Sequence, residues 1–169
     1  MPSLSSSSGA FGYGRPVSRT PYKYYRWQIT ASKTDPPEGN CVQASEFVFQ
    51  INGVDQQTIT SSASVSNPNG NNPAGETPIK LTDSNLTTKF LDLNFVSNSR
   101  ITNFIFTFPS PYAFTGYRWA TANDAESRDP KNWNVSGSSD GTNWVTLSAV
   151  SNFTATSTRN TYNSTTWTY

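Results

Sequence analysis

The ionisable residues of this sequence restrict the chemistry that it can perform. The 169-residue chain has no histidine and a single cysteine, Cys41, which excludes Ser-His-Asp and Cys-His catalysis and also zinc sites built on histidine or several cysteines. There is no phosphate-binding P-loop and no dinucleotide fingerprint. The remaining enzymatic possibility is a carboxylate pair for glycoside hydrolysis, drawn from Asp124, Glu126 and Asp129. Local roles are favoured instead, in which Asp124 caps a turn while Asp129 or Glu126 pairs with Arg128.

The composition indicates a packed domain without strong charge. Twelve basic and eleven acidic residues give a net charge of +1, so the chain lacks the basic character of a nucleic-acid-binding protein. Aromatic residues make up 14% of the chain and charged residues 14%, which favours a packed core over disorder. No apolar run approaches the length of a membrane span, and no secretory signal is present at the N-terminus. We therefore expect neither a nucleic-acid partner nor membrane insertion.

The N-terminal residues differ in composition from the rest of the chain. Residues 1–21 are rich in Ser, Gly and Pro and predict an arm, flexible or docked on a partner, while residues 22–169 form the folded domain. Basic residues also precede the first acidic residue, Asp35. A solvated arm, an arm folded back on its own domain and an arm bound to an acidic partner surface all remain open. The candidate docking residues are Phe11, Tyr13, Arg15 and Arg19.

Short alternating segments separated by turn residues predict an all-β fold. No long segment has helical spacing of apolar residues. The predicted strands cover residues 24–30, 44–51, 90–95, 101–108, 117–122, 133–138 and 144–150, with a loose outer strand in 154–169.

Three features of these strands are predicted in more detail. Asp140-Gly141 predicts a tight type I′ hairpin. Ile105 lies between two phenylalanines, which predicts a strand buried on both faces and ended by Pro109 and Pro111. Tryptophans within strands are expected in the core rather than on a binding surface. These are Trp27, Trp119, Trp133 and Trp144.

The stretch from 115 to 147 resembles a known family. The matching positions are Tyr117, Ala122-Asn123-Asp124, Arg128-Asp129-Pro130-Lys131, Trp133, Gly137-Ser138, Asp140-Gly141 and Trp144. This pattern resembles the discoidin family, also called the coagulation-factor C-type domain, which implies a galactose-binding-like, jelly-roll antiparallel β-sandwich. Segments that close the usual family member, here at 24–31 and 44–49, precede its opening segment, here at 61–92. The chain therefore resembles a circular permutant, which is tolerated when the parental termini lie close together.

The resemblance also implies a structural calcium ion. Family members often hold calcium in the segment that corresponds to 80–88, and a hard cation prefers six to eight oxygen ligands. Two points leave a metal-free polar turn as the alternative: Ser84 replaces the usual glycine, and a strand distant in sequence must supply one carboxylate. The ligands carried over are the side chains of Glu46, Asp83, Asn85 and Thr88, with the carbonyls of Lys80 and Ser45.

Sugar-binding members of the family use loop-borne His, Arg and Asn beside an aromatic platform. Stacking on an aromatic ring holds one face of a sugar while polar groups bind its hydroxyls. Because this chain has no histidine, we do not expect it to have the galactose-binding site of those members. The candidate ligand-binding residues are Tyr112 and Phe114 in one loop, with Asn123 and Arg128 in another.

Together these features favour a non-enzymatic binding or assembly module. The resemblance implies a virion component, such as a phage tail, fibre or capsid-associated protein, that recognises host surface carbohydrate or a neighbouring virion protein. We expect a homo-oligomer within an assembly. The alternatives are a purely structural decoration or tail protein without glycan affinity, and a glycan-active enzyme. Location in the virion is the leading expectation, with a soluble cytoplasmic or extracellular protein as the alternative.

Overall fold

The structure, a computed structural model, describes residues 19–169, and strands dominate them. Helical geometry is confined to a short helix, α1 (Gln57–Thr60), and to 3-10 turns at Glu38–Asn40, Pro78–Leu81 and Glu126–Arg128. Within these residues no helix has the length and apolarity needed to cross a membrane. The strands are β1 Tyr22–Ser32, β2 Val42–Ala44, β3 Glu46–Ile51, β4 Val54–Asp55, β5 Ser64–Ser66, β6 Phe90–Asp92, β7 Thr102–Tyr112, β8 Gly116–Ala120, β9 Pro130–Ser138, β10 Val145–Val150 and β11 Trp167–Thr168.

The strands form two main sheets and a small ribbon. One sheet has the order β10-β9-β1-β7-β5, the second has the order β11-β8-β3-β4, and β2 pairs with β6. Every strand pair is antiparallel. The predicted all-β antiparallel sandwich is therefore confirmed. β1 lies at the centre of the larger sheet, between β7 and β9.

Aromatic side chains fill the space between the two main sheets. Successive residues of a strand point to opposite faces, so β1 directs Tyr25, Trp27 and Ile29 inward, and all three are buried. The ring of Trp27 lies 6.0 Å from that of Trp119 and 6.4 Å from that of Trp133, measured between centroids. The predicted core positions of these three tryptophans are confirmed, and their large buried area makes them a main source of stability.

The prediction for β7 was wrong in two respects. Its inward residues are buried, but Ile105 is only half-buried, so the strand has one buried face rather than two. It also continues past Pro109 and Pro111 to Tyr112. The register with β1 shifts between Tyr24↔Thr107 and Tyr22↔Tyr112, and this irregularity accommodates two residues that cannot donate a ladder hydrogen bond.

The single strand predicted over 44–51 is two strands. β2 ends at Ala44 and pairs with β6, whereas β3 begins at Glu46 and pairs with β8. The chain changes sheet at Ser45, where the backbone N–H instead bonds the carbonyl of Ala120 at 3.0 Å. This change of sheet buries Glu46 at the first position of β3. Similarly, the strand predicted over 90–95 ends at Asp92.

The hairpin between β9 and β10 forms, but its turn differs from the prediction. Residues 139–144 connect the strands, and of Asp140 and Gly141 only Gly141 has a positive φ, at 78°, so the turn is not type I′. The Asp140 carboxylate accepts the backbone N–H groups of Thr142 and Asn143, each at 2.8 Å. These bonds close a longer loop and hold the pKa of Asp140 well below its usual value.

The outer strand predicted in 154–169 is present only in part. Trp167 and Thr168 form β11, which pairs with β8, and Tyr162 adds an isolated bridge to Ala120. Between them there is no continuous ladder. Asn163 donates both its backbone N–H and its side-chain amide to the carbonyl of Trp119, each at 3.1 Å.

Candidate functional site

Two carboxylates that are distant in sequence meet beside the turn at 82–88. Glu46 projects from the start of β3, and Asp83 follows the 3-10 turn Pro78–Leu81. Both accept the same backbone N–H, that of Asn85, with distances of 2.8 Å to Glu46 Oε1 and 3.1 Å to Asp83 Oδ1. Ser84, which precedes this N–H, has a φ of 62°, in the region that a glycine would adopt without strain. The turn therefore directs an amide at both carboxylates.

The other predicted ligands surround the same turn. The Thr88 hydroxyl bonds both Asp83 oxygens, at 3.0 and 2.8 Å, and the Lys80 ammonium lies 3.1 Å from Asp83 Oδ2. The Ser45 hydroxyl donates to the carbonyl of Leu86 at 3.0 Å and ties β3 to the turn. The residues predicted to bind a metal thus lie around one turn, but the contacts of Lys80 and Ser45 are made by their side chains rather than by the predicted carbonyls, and Lys80 places a positive charge against Asp83.

The side chain of Asn85 faces away from the two carboxylates. Its Oδ1 accepts the backbone N–H of Thr87 at 3.0 Å and the Thr87 hydroxyl at 2.7 Å. Asn85 therefore contacts the two carboxylates through its backbone N–H. Its side-chain oxygen can bind a metal only if its two bonds to Thr87 break.

Glu46 is the most perturbed group of this cluster. Its side chain is buried and Oε2 has no hydrogen-bond partner in the described part of the chain. Burial raises the pKa of Glu46 to about 8, opposed by the bond from Asn85 and reinforced by the neighbouring Asp83 carboxylate. At neutral pH the protonated form of Glu46 is favoured, because burial disfavours its charge and the neighbouring Asp83 carboxylate repels it.

This donor set fits a hard cation. Glu46 and Asp83 supply carboxylate oxygens, one of them unpaired, and Thr88 supplies a hydroxyl. No group of three or more Asp, Glu, His or Cys side chains suited to a metal occurs between residues 19 and 169. The described residues thus offer a cation two carboxylates, those of Glu46 and Asp83, and the neutral hydroxyl of Thr88.

The four predicted ligand-binding residues do not form one site. Tyr112 pairs with Tyr22 at one end of β1, while Arg128 lies near the other end, where its Nε donates to the carbonyl of Glu38 at 2.9 Å. β1 spans eleven residues, so these ends are roughly 30 Å apart at about 3.3 Å per residue. Asn123 is exposed near Arg128.

Phe114 does not provide an exposed platform. It is 1% exposed and stacks on Phe49 with ring centroids 4.6 Å apart. It also lines an open pocket of about 140 Å³. The pocket is lined by Arg19, Thr20, Tyr22, Tyr25, Phe114, Leu147 and Tyr169. Arg19 is thus the one candidate docking residue of the arm whose position is described, whereas Phe11, Tyr13 and Arg15 lie outside the described residues.

The three carboxylates considered for hydrolysis each bind a different basic side chain. Asp124 accepts from Lys89 at 2.8 Å, Glu126 pairs with Lys33, and Asp129 binds Arg159 through two bonds of 2.7 Å. The predicted pairing of Glu126 or Asp129 with Arg128 was wrong. The actual partners come from strands and loops that are remote in sequence, which local spacing does not reveal.

Trp144 lies outside the core, contrary to the prediction. It immediately precedes β10, is half-buried, and stacks against the guanidinium of Arg26 at 4.7 Å from the ring centroid. Sequence reasoning missed this pair and its neighbours. The alternation of β1 contained a usable signal, because inward Tyr25 and Trp27 require that Arg26 and Gln28 point outward.

Comparisons with family models, with curated proteins and with solved structures give no match to this chain.

Proposed function

We propose that this chain is a non-enzymatic binding and assembly module of the discoidin type, whose turn at 82–88 is held against β3 by a structural cation. The observation that supports this most is the meeting of Glu46 with the Asp83 turn. The resemblance implies that these groups share a calcium ion, and their closeness in the fold supports the proposal.

In this proposal the protein positions the oxygen atoms before the cation arrives. The Ser45 hydroxyl fixes the turn to β3, and Thr88 holds the Asp83 carboxylate in place. Glu46 and Asp83 would hold the calcium ion, and its positive charge would offset the negative charge of both carboxylates.

A binding role is favoured over hydrolysis because of the environment of the acidic residues. Asp129 is fully buried in a bidentate pair with Arg159, and the ammonium of Lys89 engages Asp124. Glycoside hydrolysis requires two carboxyl groups that flank one bond, one of them able to donate a proton. Carboxylates held by separate basic groups are suited to joining loops.

The wider setting of the proposal comes from the resemblance. It implies a module of a virus particle, as a tail, fibre or capsid-associated protein that forms a homo-oligomer and recognises either host surface carbohydrate or a neighbouring virion protein. A saccharide array probed with the full-length protein tests the carbohydrate part, and mass measurement in solution tests self-assembly. A regular oligomer that binds no saccharide would replace this proposal with a purely structural decoration.

Calcium titration of thermal unfolding tests the cation directly. A ligand at about one hundred times its dissociation constant stabilises a protein by about 2.7 kcal/mol, or about 5–10 °C in Tm for a chain of this size. We expect that shift for the full-length chain in calcium relative to chelator, and its loss in Asp83→Asn. The matched control is Asp35→Asn, since Asp35 is exposed and pairs only with Arg100 in the described structure. Equal Tm values with calcium and with chelator would refute the cation site.

A further inference from the structure

The outward side of the larger sheet carries polar and aromatic groups that the site above does not use. Residues directly opposite each other on antiparallel strands share a face, and Gln28 of β1 lies opposite Asn103 of β7 and Asn134 of β9. We define the outer face by six residues that are all half-buried. They are Tyr24, Arg26, Gln28, Asn103, Asn134 and Trp144.

Arg26 brings an uncompensated positive charge to the outer face. It forms no ion pair in residues 19–169, and residues 1–18 contain no Asp or Glu that could supply one. None of the β7 and β9 residues in register with Tyr24, Arg26 and Gln28 is acidic. In contrast, four other arginines pair with carboxylates, namely Arg100, Arg118, Arg128 and Arg159.

The guanidinium of Arg26 is held in place and partly dehydrated. It stacks on the ring of Trp144, and its Nε is buried without a hydrogen-bond partner in the described chain. Burial lowers the pKa of Arg26 from its usual value. A fixed guanidinium that has already lost water binds an anion more strongly than a mobile one, because less ordering and less desolvation remain to be done.

The amides beside Arg26 are also ordered before a ligand arrives. Gln28 Nε2 donates to Asn103 Oδ1 at 2.9 Å, which leaves Gln28 Oε1 to accept and Asn103 Nδ2 to donate. Asn134 adds a third amide on the opposite side of Gln28. Sugar hydroxyls both donate and accept, so alternating amide groups in one row suit them.

We propose that the outer face binds an acidic oligosaccharide, with an anionic group of the sugar on Arg26 and its hydroxyls on Gln28, Asn103 and Asn134. This rests on the proposed function in that it assigns the site and the ligand class of the same binding module. A single arginine among amides favours a saccharide over a nucleic acid, which requires several basic contacts along its phosphates. Trp144 and Tyr24 provide flanking aromatic surface for sugar rings.

The test uses the full-length protein and matched oligosaccharides in calorimetry. One uronate oligosaccharide, its carboxyl-reduced neutral form and a sulfated form distinguish the source of the anionic group. We expect the acidic forms to bind at least about tenfold more tightly than the neutral one, and Arg26→Gln to remove about tenfold or more of that affinity. Arg100→Gln, which removes the same charge from an exposed ion pair on the surface, is the control and should bind like the wild type.

The outcomes separate this inference from the proposed function. Binding of neutral and acidic forms with equal affinity, unchanged in Arg26→Gln, overturns the assignment of the outer face but leaves a carbohydrate-binding module. Failure of every saccharide to bind overturns both. Binding of duplex DNA or anionic lipid vesicles that is lost in Arg26→Gln, without saccharide binding, overturns the ligand class. Circular dichroism of each variant confirms that the fold is retained.

Discussion

The buried carboxyl of Glu46 should make this protein less stable as the pH rises. Its pKa lies near 8 in the folded chain, against about 4.5 when exposed. The folded state therefore keeps a proton that the unfolded state releases above about pH 4.5, so the stabilisation decreases from there to about pH 8 and is then constant. The full difference between these two pKa values corresponds to a loss of about 5 kcal/mol in the free energy of unfolding. Because the neighbouring turn is exposed, water can relax the site, and we expect about 2–4 kcal/mol.

The substitution Glu46→Gln isolates this effect. Glutamine keeps an oxygen that can accept the N–H of Asn85 but carries no charge. In the presence of a chelator, the variant and the wild type should have similar stability at pH 5. At pH 9 the variant should be more stable by about 2–4 kcal/mol. This corresponds to about 5–15 °C in Tm.

The measurement is thermal or urea unfolding at a series of pH values, compared between the two proteins. Titrating groups remote from Glu46 contribute equally to both proteins, so the difference reports Glu46 together with its interaction with Asp83. Glu38→Gln is the control, because the Glu38 side chain is largely exposed and the substitution removes one carboxylate, as Glu46→Gln does. A Glu46→Gln difference that does not grow between pH 5 and pH 9 would show that Glu46 is ionised throughout, and the reasoning would be wrong.

Two further predictions concern the packing of the sandwich. Arg159→Gln should destabilise the fold by about 3–5 kcal/mol in urea unfolding, because it leaves the fully buried Asp129 carboxylate without its partner. The double variant Arg159→Gln/Asp129→Asn should recover part of this loss of stability. A double variant whose loss equals the sum of the two single losses would contradict the argument. Gly137→Ala should lower the free energy of unfolding by about 1–3 kcal/mol, since the added Cβ would lie 2.3 Å from the ring of Tyr22. Adding Tyr22→Ala to this variant should relieve the strain. A Tm for Gly137→Ala equal to that of the wild type would exclude the clash.

The sequence by itself determined the fold class and the main core residues. Alternation of apolar and polar residues is a local property of a strand, so the inward tryptophans of β1, β8 and β9 were predictable. The resemblance to the discoidin family also selected the residues around Asp83 that the structure brings together. Local patterns failed where the chain leaves a regular ladder, as at Ser45, where it changes sheet, and at Pro109, inside an irregular pairing.

Tertiary structure decided which groups face each other and which face solvent. Trp144 is as apolar as the core tryptophans, and only its position just before the edge strand β10 places it outside, against Arg26. The partner of Asp129 is Arg159, from a segment that pairs with the other sheet. Hydrophobic burial determines that a residue is inward, but electrostatic partners and exposed faces depend on which strands are adjacent. That adjacency is set by contacts between residues far apart in the chain, which no local spacing encodes.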